Sequence, residues 1–153
     1  MFMQHFKRSH LLIGLLVAAA SLGLAACGDD DEEGEKGTTV NVTLSEFIVD
    51  PSPASAPAGD VTFVAKNEGK EKHELVIVKT DLAPDKLPTK ADGSVDEEGA
   101  GVAVVDEIEE FQSGGTEELT VKLDPGKYVL LCNIVEEDES HYQEGMHAPF
   151  SVQ

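Results

Sequence analysis

Short runs of alternating apolar and polar residues fill the chain from Thr39 onward, and they constrain the fold more than any other feature. Alternation with a period of two places successive side chains on opposite faces of an extended backbone, which is the pattern of β-strands. We therefore expect strands at Thr39–Ser45, Val61–Asn67, Glu74–Lys79, Val102–Val105, Glu117–Leu123, Lys127–Cys132 and Ala148–Val152.

Glycine and proline mark the breaks between these runs, and they supply turn chemistry at Pro51–Pro53, Pro57–Gly59, Asn67–Gly69 and Asp124–Gly126. About seven short strands joined in this way predict a sandwich of two sheets. The segment from Asp81 to Gly101 interrupts the spacing with many charges, prolines and glycines. We expect an excursion there, with at most one turn of helix.

The charge balance excludes several classes of partner. The chain has 153 residues and a formal net charge of −19. This length suits one domain with appendages. The acidic excess repels phosphate backbones and anionic lipid headgroups, so we expect neither nucleic-acid binding nor attachment to a membrane by charge.

Residues 1–26 have the pattern of an export signal. Lys7 and Arg8 precede an uncharged run from Leu11 to Ala26, which is somewhat short for a permanent membrane span. The run closes with Leu24–Cys27, which resembles the lipobox of bacterial lipoproteins, where the cysteine is acylated. A plain secretory signal with an incidental cysteine is the alternative.

We therefore expect three regions in the chain. They are a lipoprotein signal peptide at 1–26, an acidic flexible tether at 27–38 that starts from a lipidated Cys27, and one folded domain at 39–153. Such a protein is extracytoplasmic and lipid-anchored, either in the periplasm or on the outer face of the cell membrane, and we expect a monomer. Cleavage removes Lys7 and Arg8 but no acidic residue, so the net charge falls from −19 to −21.

The remaining sulfur and imidazole ligands are few. Cys132, His141 and Met146 follow one another as C-x8-H-x4-M, and His73 opens a predicted strand. A single thiol in an exported domain has no internal disulfide partner, which makes a metal one explanation for it. Thiolate, two imidazoles and a thioether are the ligands of a trigonal copper site with a weak axial ligand. His147 is left out, because neighbours on a strand point to opposite faces.

Three segments carry a resemblance to a family. The chain resembles the cupredoxins, or blue copper proteins, and especially bacterial cupredoxin-domain lipoproteins. The resemblance lies in three segments that follow one another in the family's order: Lys72–Leu82, Tyr128–Ile134 and His141–Met146. The resemblance covers about residues 39–153. It implies an all-β Greek-key β-sandwich of about seven to eight strands that binds one type 1 copper. It also implies that His73, Cys132 and His141 are the equatorial ligands and Met146 the axial one.

The loop between Cys132 and His141 departs from these relatives, which place four residues where this chain has eight. The longer spacing is similar to that of the blue-copper site of copper nitrite reductases. Its middle, Glu136–Glu139, is entirely acidic and by the resemblance lies beside the His141 edge that passes electrons. We expect this loop to steer a redox protein partner that has a basic docking face.

The leading hypothesis is a membrane-tethered carrier of single electrons that is not an enzyme, since four protein ligands leave no open position for a substrate. A module that buffers copper or delivers it to an exported oxidase uses the same ligands, so the sequence leaves this alternative open. A copperless cupredoxin-fold interaction domain is a third interpretation.

Overall fold

The computed structural model describes residues 37–153. The expected signal peptide, the lipidated Cys27 and most of the expected tether lie outside the described residues. Within them, no helix is long and apolar enough to cross a membrane. The strands are β1 (Thr38–Ser45), β2 (Ile48–Ser52), β3 (Ser55–Ala56), β4 (Gly59–Asn67), β5 (His73–Lys79), β6 (Ala103–Phe111), β7 (Thr116–Leu123), β8 (Gly126–Leu131), β9 (Val135–Glu136), β10 (Glu139–Ser140) and β11 (His147–Val152).

Two large sheets form the sandwich, and β9 and β10 pair as a separate two-stranded sheet. One has four strands in the order β2-β1-β4-β7, and the other has five in the order β3-β11-β8-β5-β6. β1 pairs in parallel with β4, and β5 and β8 pair antiparallel in the middle of the second sheet. This arrangement confirms the expected all-β sandwich.

The main core lies between the sheets and follows the alternation in the sequence. On β1 and β4 every second side chain is fully buried, and the inward side chains of β5, β8 and β11 face them. Phe63 of the first sheet meets Phe150 of the second edge to face, with ring centroids 5.5 Å apart. The inward members of β1 and β4 are Val40, Val42, Leu44, Val61, Phe63 and Ala65.

A second, smaller core lies on the outer face of the five-stranded sheet. Val76, Val78, Val129 and Leu131 point to this face and are covered by residues of the excursion and of the loop after β8. β5 and β8 are therefore buried on both faces, which explains their unbroken apolar runs. The excursion contains one turn of 3-10 helix at Pro84–Lys86, as the sequence predicts.

Two features differ from the sequence prediction. A turn is expected at Pro51–Pro53, whereas Ile48–Ser52 forms β2, which pairs antiparallel with β1. Proline is tolerated there because β2 is an edge strand. β6 is also longer than the predicted Val102–Val105, because its mostly exposed acidic end lacks an apolar alternation that would reveal it.

The Phe63–Phe150 contact gives a direct test of the sandwich. Phe63→Ala should lower the free energy of unfolding by about 3–5 kcal/mol, because it opens a cavity between the sheets. Ile48→Ala is the matched control, since Ile48 is 54% exposed and its loss should change stability by less than about 0.5 kcal/mol. Urea denaturation measures both variants, and equal losses would contradict the core assignment.

Candidate metal centre

The pairing of β5 with β8 brings the first two candidate ligands together. The strands are antiparallel with Val76 opposite Leu131, so the start of β5 lies beside the end of β8. His73 is the first residue of β5, and Cys132 follows the last residue of β8. Both side chains therefore reach the same end of the sandwich although 59 positions separate them.

The long loop after Cys132 folds into a small hairpin. β9 and β10 pair with Val135 opposite Ser140 and Glu136 opposite Glu139. The two residues of the turn, Glu137 and Asp138, have φ angles of 48° and 73°. Left-handed backbone at both turn positions is typical of the type I′ turn that suits a two-residue hairpin. The extra residues of the loop therefore project as a hairpin.

Backbone hydrogen bonds close the loop on both sides of this hairpin. His141 donates its N–H to the carbonyl of Ile134 at 3.0 Å, and Cys132 donates its N–H to the carbonyl of Met146 at 3.0 Å. The N–H of Met146 donates in turn to the carbonyl of His141 at 2.9 Å. These bonds hold Cys132, His141 and Met146 next to one another despite the longer spacing.

A short helix that the sequence analysis missed orients His141. The helix α1 (His141–Glu144) is capped by the side chain of Ser140, which accepts from the N–H of Gln143. The Tyr142 hydroxyl accepts from the N–H of Leu87 at 3.0 Å and donates to the carbonyl of Pro84 at 2.7 Å. These bonds anchor α1 to the excursion. The sequence does not predict them, because they form only when the folded chain brings residues 84–87 next to Tyr142.

Asn133 connects the ligand loop to two other parts of the fold. Its backbone N–H donates to a carboxylate oxygen of Glu74 at 2.8 Å. Its side chain accepts from the N–H of Val95 at 2.6 Å and donates to Glu97 at 2.9 Å. The residue directly after Cys132 is therefore held by both β5 and the excursion. Its position next to the cysteine is the one sequence signal that could have identified it.

The donor atoms of the three predicted equatorial ligands converge. Nδ1 of His73 lies 3.3 Å from Nδ1 of His141, and the Cys132 Sγ lies 3.9 Å from the first and 3.4 Å from the second. All three side chains are fully buried. Metal bonds to nitrogen and sulfur are about 2.0–2.3 Å long, so one ion can contact all three donors.

The electrostatic surroundings suit a metal better than a free thiol or a charged imidazole. Burial, and then the neighbouring His141, lower the pKa of His73, so its ring is neutral and free to bind. Burial raises the pKa of Cys132 to about 12, and backbone N–H groups of Glu74 and Ile134 that point at the sulfur offset part of this. A neutral His73 ring and a protonated thiol thus share a buried space with the His141 ring, and a soft cation would replace the thiol proton.

Met146 is also fully buried and belongs to the main core. With Met146 beside it, the His-Cys-His group fits a single type 1 copper site. The axial role of Met146 stays a prediction, as do the individual ligand assignments. His147 is partly exposed, and its ring lies 5.2 Å from that of Tyr142.

The edge of His141 is not on the surface. Its side chain is fully buried, with the ring of Phe47 against it at 5.5 Å and a carboxylate oxygen of Glu71 3.3 Å from Nε2. Outside it lies a concavity that we call the acidic patch, lined by Glu71, Glu136, Glu137 and Glu139. The predicted acidic loop therefore covers this end of the site, together with Glu71.

Two carboxylates beside the imidazoles were not anticipated from the sequence. Glu46 Oε1 lies 3.3 Å from Nε2 of His73, and Glu71 stands in the same relation to His141. Glu46 precedes His73 by 27 positions and lies between β1 and β2. No local pattern marks such a residue, because only the packing of the two sheets brings it to the site.

Comparison with solved structures shows the fold. Reduced auracyanin from the photosynthetic bacterium Roseiflexus castenholzii aligns with a TM-score of 0.54 at 24% identity, covering 76% of this chain and 98% of that one. Auracyanin B aligns with a TM-score of 0.50 at 19% identity, covering 76% of this chain and 88% of that one. The chain has the cupredoxin fold that the resemblance implies.

Comparison by sequence gives a different kind of relative. The iron uptake system component EfeO of Yersinia pseudotuberculosis is 25% identical over 130 residues, which are 85% of this chain and 27% of that protein. EfeO of Escherichia coli is 23% identical over 131 residues, 86% of this chain and 28% of that protein. The chain thus spans about a quarter of the length of these curated relatives. No family model matches it.

The ligand assignments predict a hierarchy among variants. Cys132→Ser and His73→Ala should abolish or severely weaken copper binding, because each removes a strong equatorial donor. Met146→Leu should keep the copper but raise the reduction potential, since a thioether favours Cu(II) and leucine donates nothing. Copper content and voltammetry measure these effects, and an equal loss of copper from all three variants would contradict the roles.

Copper uptake should also depend on pH in a defined direction. The thiol with a pKa of about 12 must lose its proton to bind, whereas neutral His73 need not. The apparent affinity should therefore rise about tenfold per pH unit between about pH 7 and pH 9, with one proton released per copper. Competition with a chelator of known protonation measures it, and an affinity that does not change with pH would show that the thiolate is not a ligand.

Proposed function

We propose that this protein with the cupredoxin fold is an extracytoplasmic copper protein that carries single electrons between redox partners. One observation carries the proposal: Nδ1 of His73, Nδ1 of His141 and Sγ of Cys132 converge within 3.3–3.9 Å in a fully buried site. Thiolate and thioether ligands suit Cu(I), and imidazoles suit Cu(II) as well, so this donor set supports cycling between the two states.

Rigidity of the site supports the same role. His73 begins a strand that is buried on both faces, and His141 lies on a helix that Tyr142 anchors. Asn133, the residue next to Cys132, is fixed by its hydrogen bonds to Val95 and Glu74. Donors that are held by the fold move little when the copper changes oxidation state, which favours rapid electron transfer. With Met146 as the fourth donor, the coordination shell is filled by the protein, so we propose outer-sphere electron transfer rather than catalysis at the metal.

The location of this carrier is part of the proposal. The export signal at 1–26 and the lipobox-like Leu24–Cys27 support a lipid-anchored protein, with 27–38 as a solvated tether. The domain would then work close to the outer surface of a membrane and exchange electrons with proteins there.

The acidic patch supports a partner with a basic docking face. Three of its four members belong to the β9–β10 hairpin, and Glu71 lies against His141. Lys72 neutralises part of this charge, since its Nζ lies 2.6 Å from Glu110 and 3.3 Å from Glu136. Because Glu71 belongs to this patch and lies 3.3 Å from Nε2 of His141, a positively charged partner would be attracted to the side of the site where the His141 ring lies.

A second candidate is a metal-handling role, and the similarity to iron uptake system components favours it. The same site would then bind copper for storage or delivery, or would accept one electron from ferrous iron as Cu(II) is reduced to Cu(I). Addition of Fe(II) to the Cu(II) form distinguishes this reaction, because the Cu(II) signal then disappears while an equal amount of Fe(III) forms.

Voltammetry of the copper-loaded protein tests the electron-transfer proposal against delivery. A carrier should give reversible reduction and oxidation over many cycles, with one copper per chain retained. A delivery module should release copper after reduction or hand it to a competing chelator. Progressive loss of the signal, with copper appearing in solution, would therefore contradict the proposed function.

Neutralisation of the acidic loop tests the proposed partner. Changing Glu136, Glu137, Asp138 and Glu139 to Gln or Asn should lower the association rate with a basic cytochrome at low salt and flatten its salt dependence. The attraction acts over a screening length of about 8 Å at physiological salt, so the effect should fade there. Stopped-flow electron transfer over a salt series measures it.

The matched control neutralises four exposed carboxylates elsewhere, at Glu109, Glu117, Glu118 and Asp124. It makes the same change in net charge without altering the hairpin. If the two variants show the same dependence of the logarithm of the rate on ionic strength, the hairpin does not steer the partner.

A further inference from the structure

The outer nitrogens of the two candidate imidazole ligands are buried and face carboxylates. Among the described residues, Nε2 of His73 and Nε2 of His141 have no hydrogen-bond partner of good geometry. A carboxylate oxygen lies 3.3 Å from each of them, Glu46 Oε1 beside His73 and Glu71 Oε2 beside His141. Each ring therefore presents Nδ1, one donor atom for a metal, on one side and has a carboxylate beside Nε2 on the other.

Glu46 is held in place by the loop before β5. Its Oε1 accepts from the N–H of Lys70 at 2.6 Å and from the N–H of Glu71 at 2.8 Å. These two bonds from backbone N–H groups fix the Glu46 carboxylate in place and stabilise its negative charge. Only 24% of the side chain is exposed, compared with 43% for Glu71.

The loop itself is shaped to let Glu46 reach His73. A Cβ on Gly69 would lie 2.8 Å from Nε2 of His73 and closer still to Glu46 Oε1, so a side chain there would separate the two. The fully buried Asn67 fixes this loop, since it accepts from the N–H of Gly69 at 2.9 Å and donates to the carbonyl of Glu71 at 2.8 Å. The absence of a side chain at Gly69 and the hydrogen bonds of Asn67 thus allow the Glu46 carboxylate to approach His73.

The protonation of imidazole explains why a carboxylate beside Nε2 would orient a metal-binding ring. A neutral ring that binds a metal through Nδ1 carries its proton on Nε2. A buried N–H without an acceptor is costly, and an acceptor on the outer nitrogen fixes both the tautomer and the orientation of a metal-binding ring. Glu46 Oε1 lies 3.3 Å from Nε2 of His73, where it can accept from that N–H.

We propose that Glu46 is a positioning residue for the copper site. It holds the His73 ring so that Nδ1 is directed at Cys132 and the Nε2–H at the Glu46 carboxylate. The redox part of this inference rests on the proposed function. A fixed negative charge at this distance stabilises Cu(II) relative to Cu(I), because reduction lowers the positive charge at the site. Glu46 therefore lowers the reduction potential, and the more exposed Glu71 acts less strongly on the other ring.

The tautomer of His73 tests the inference without copper. In the metal-free protein at about pH 8, ¹⁵N NMR of the histidine side chains should show His73 protonated on Nε2. Glu46→Leu, which offers no acceptor, should lose this preference, and Gly69→Ala should weaken it although the carboxylate remains. A wild-type His73 protonated mainly on Nδ1 would overturn the inference, whether or not the protein binds copper.

The copper-loaded protein tests the electrostatic consequence. Glu46→Gln should raise the ratio of Cu(I) to Cu(II) affinity by about tenfold, which is about 59 mV for a one-electron couple. Glu71→Gln is the matched control, because it removes the same charge beside the other imidazole, and its shift should be clearly smaller.

The outcomes separate this inference from the proposed function. Equal shifts in the two variants would indicate a general charge effect and would overturn the particular role of Glu46. A wild-type protein that binds neither Cu(I) nor Cu(II) would contradict the proposed function, whereas the tautomer measurement would still decide the positioning role.

Discussion

The antiparallel pairing of β5 with β8 is the constraint on which the rest of the site depends. Its register places the start of one strand beside the end of the other, and His73 and Cys132 stand at these two positions. Because both strands are buried on both faces, the pairing is anchored by the main core on one side and by the excursion on the other. A shift of one residue would turn every inward side chain outward and separate the two ligands.

Hydrogen bonds of the polar groups around this strand pair keep the ligand loops fixed. Asn133 is hydrogen-bonded to Glu74, Val95 and Glu97, which are distant in the sequence. Asn67 is hydrogen-bonded to the neighbouring loop residues Gly69 and Glu71 and to the distant Phe111. Buried side chains that are fully hydrogen-bonded specify one arrangement of the surrounding loops. The two buried Nε2 atoms are the exception, and carboxylates stand beside both of them. Nδ1 and Sγ donors that converge in rigid loops, with a carboxylate beside the outer nitrogen of each ring, suit a metal centre.

The sequence predicts the strands in which apolar residues recur with a regular period. It does not predict the elements that form only through contacts between distant parts of the chain. Strands β1, β4, β5, β7, β8 and β11 appear within one or two residues of their expected limits, since each has an alternating or continuous apolar run. β2, the β9–β10 hairpin and α1 are too short or too polar for such a signal. The three donors of the site are predictable because sulfur and imidazole ligands are rare in this chain. Glu46 is not, because acidic residues are common and only the packing of the sheets selects one of them.

The visible and EPR spectra of the protein, titrated with Cu(II), test the central claim most directly. A buried thiolate bound to Cu(II) produces an intense charge-transfer colour, so we expect a strong visible band that saturates at one copper per chain. The EPR spectrum should show a single Cu(II) species at the same end point. A folded protein that stays colourless with one equivalent of Cu(II) would contradict the account, and it would favour a copperless interaction domain on the same fold.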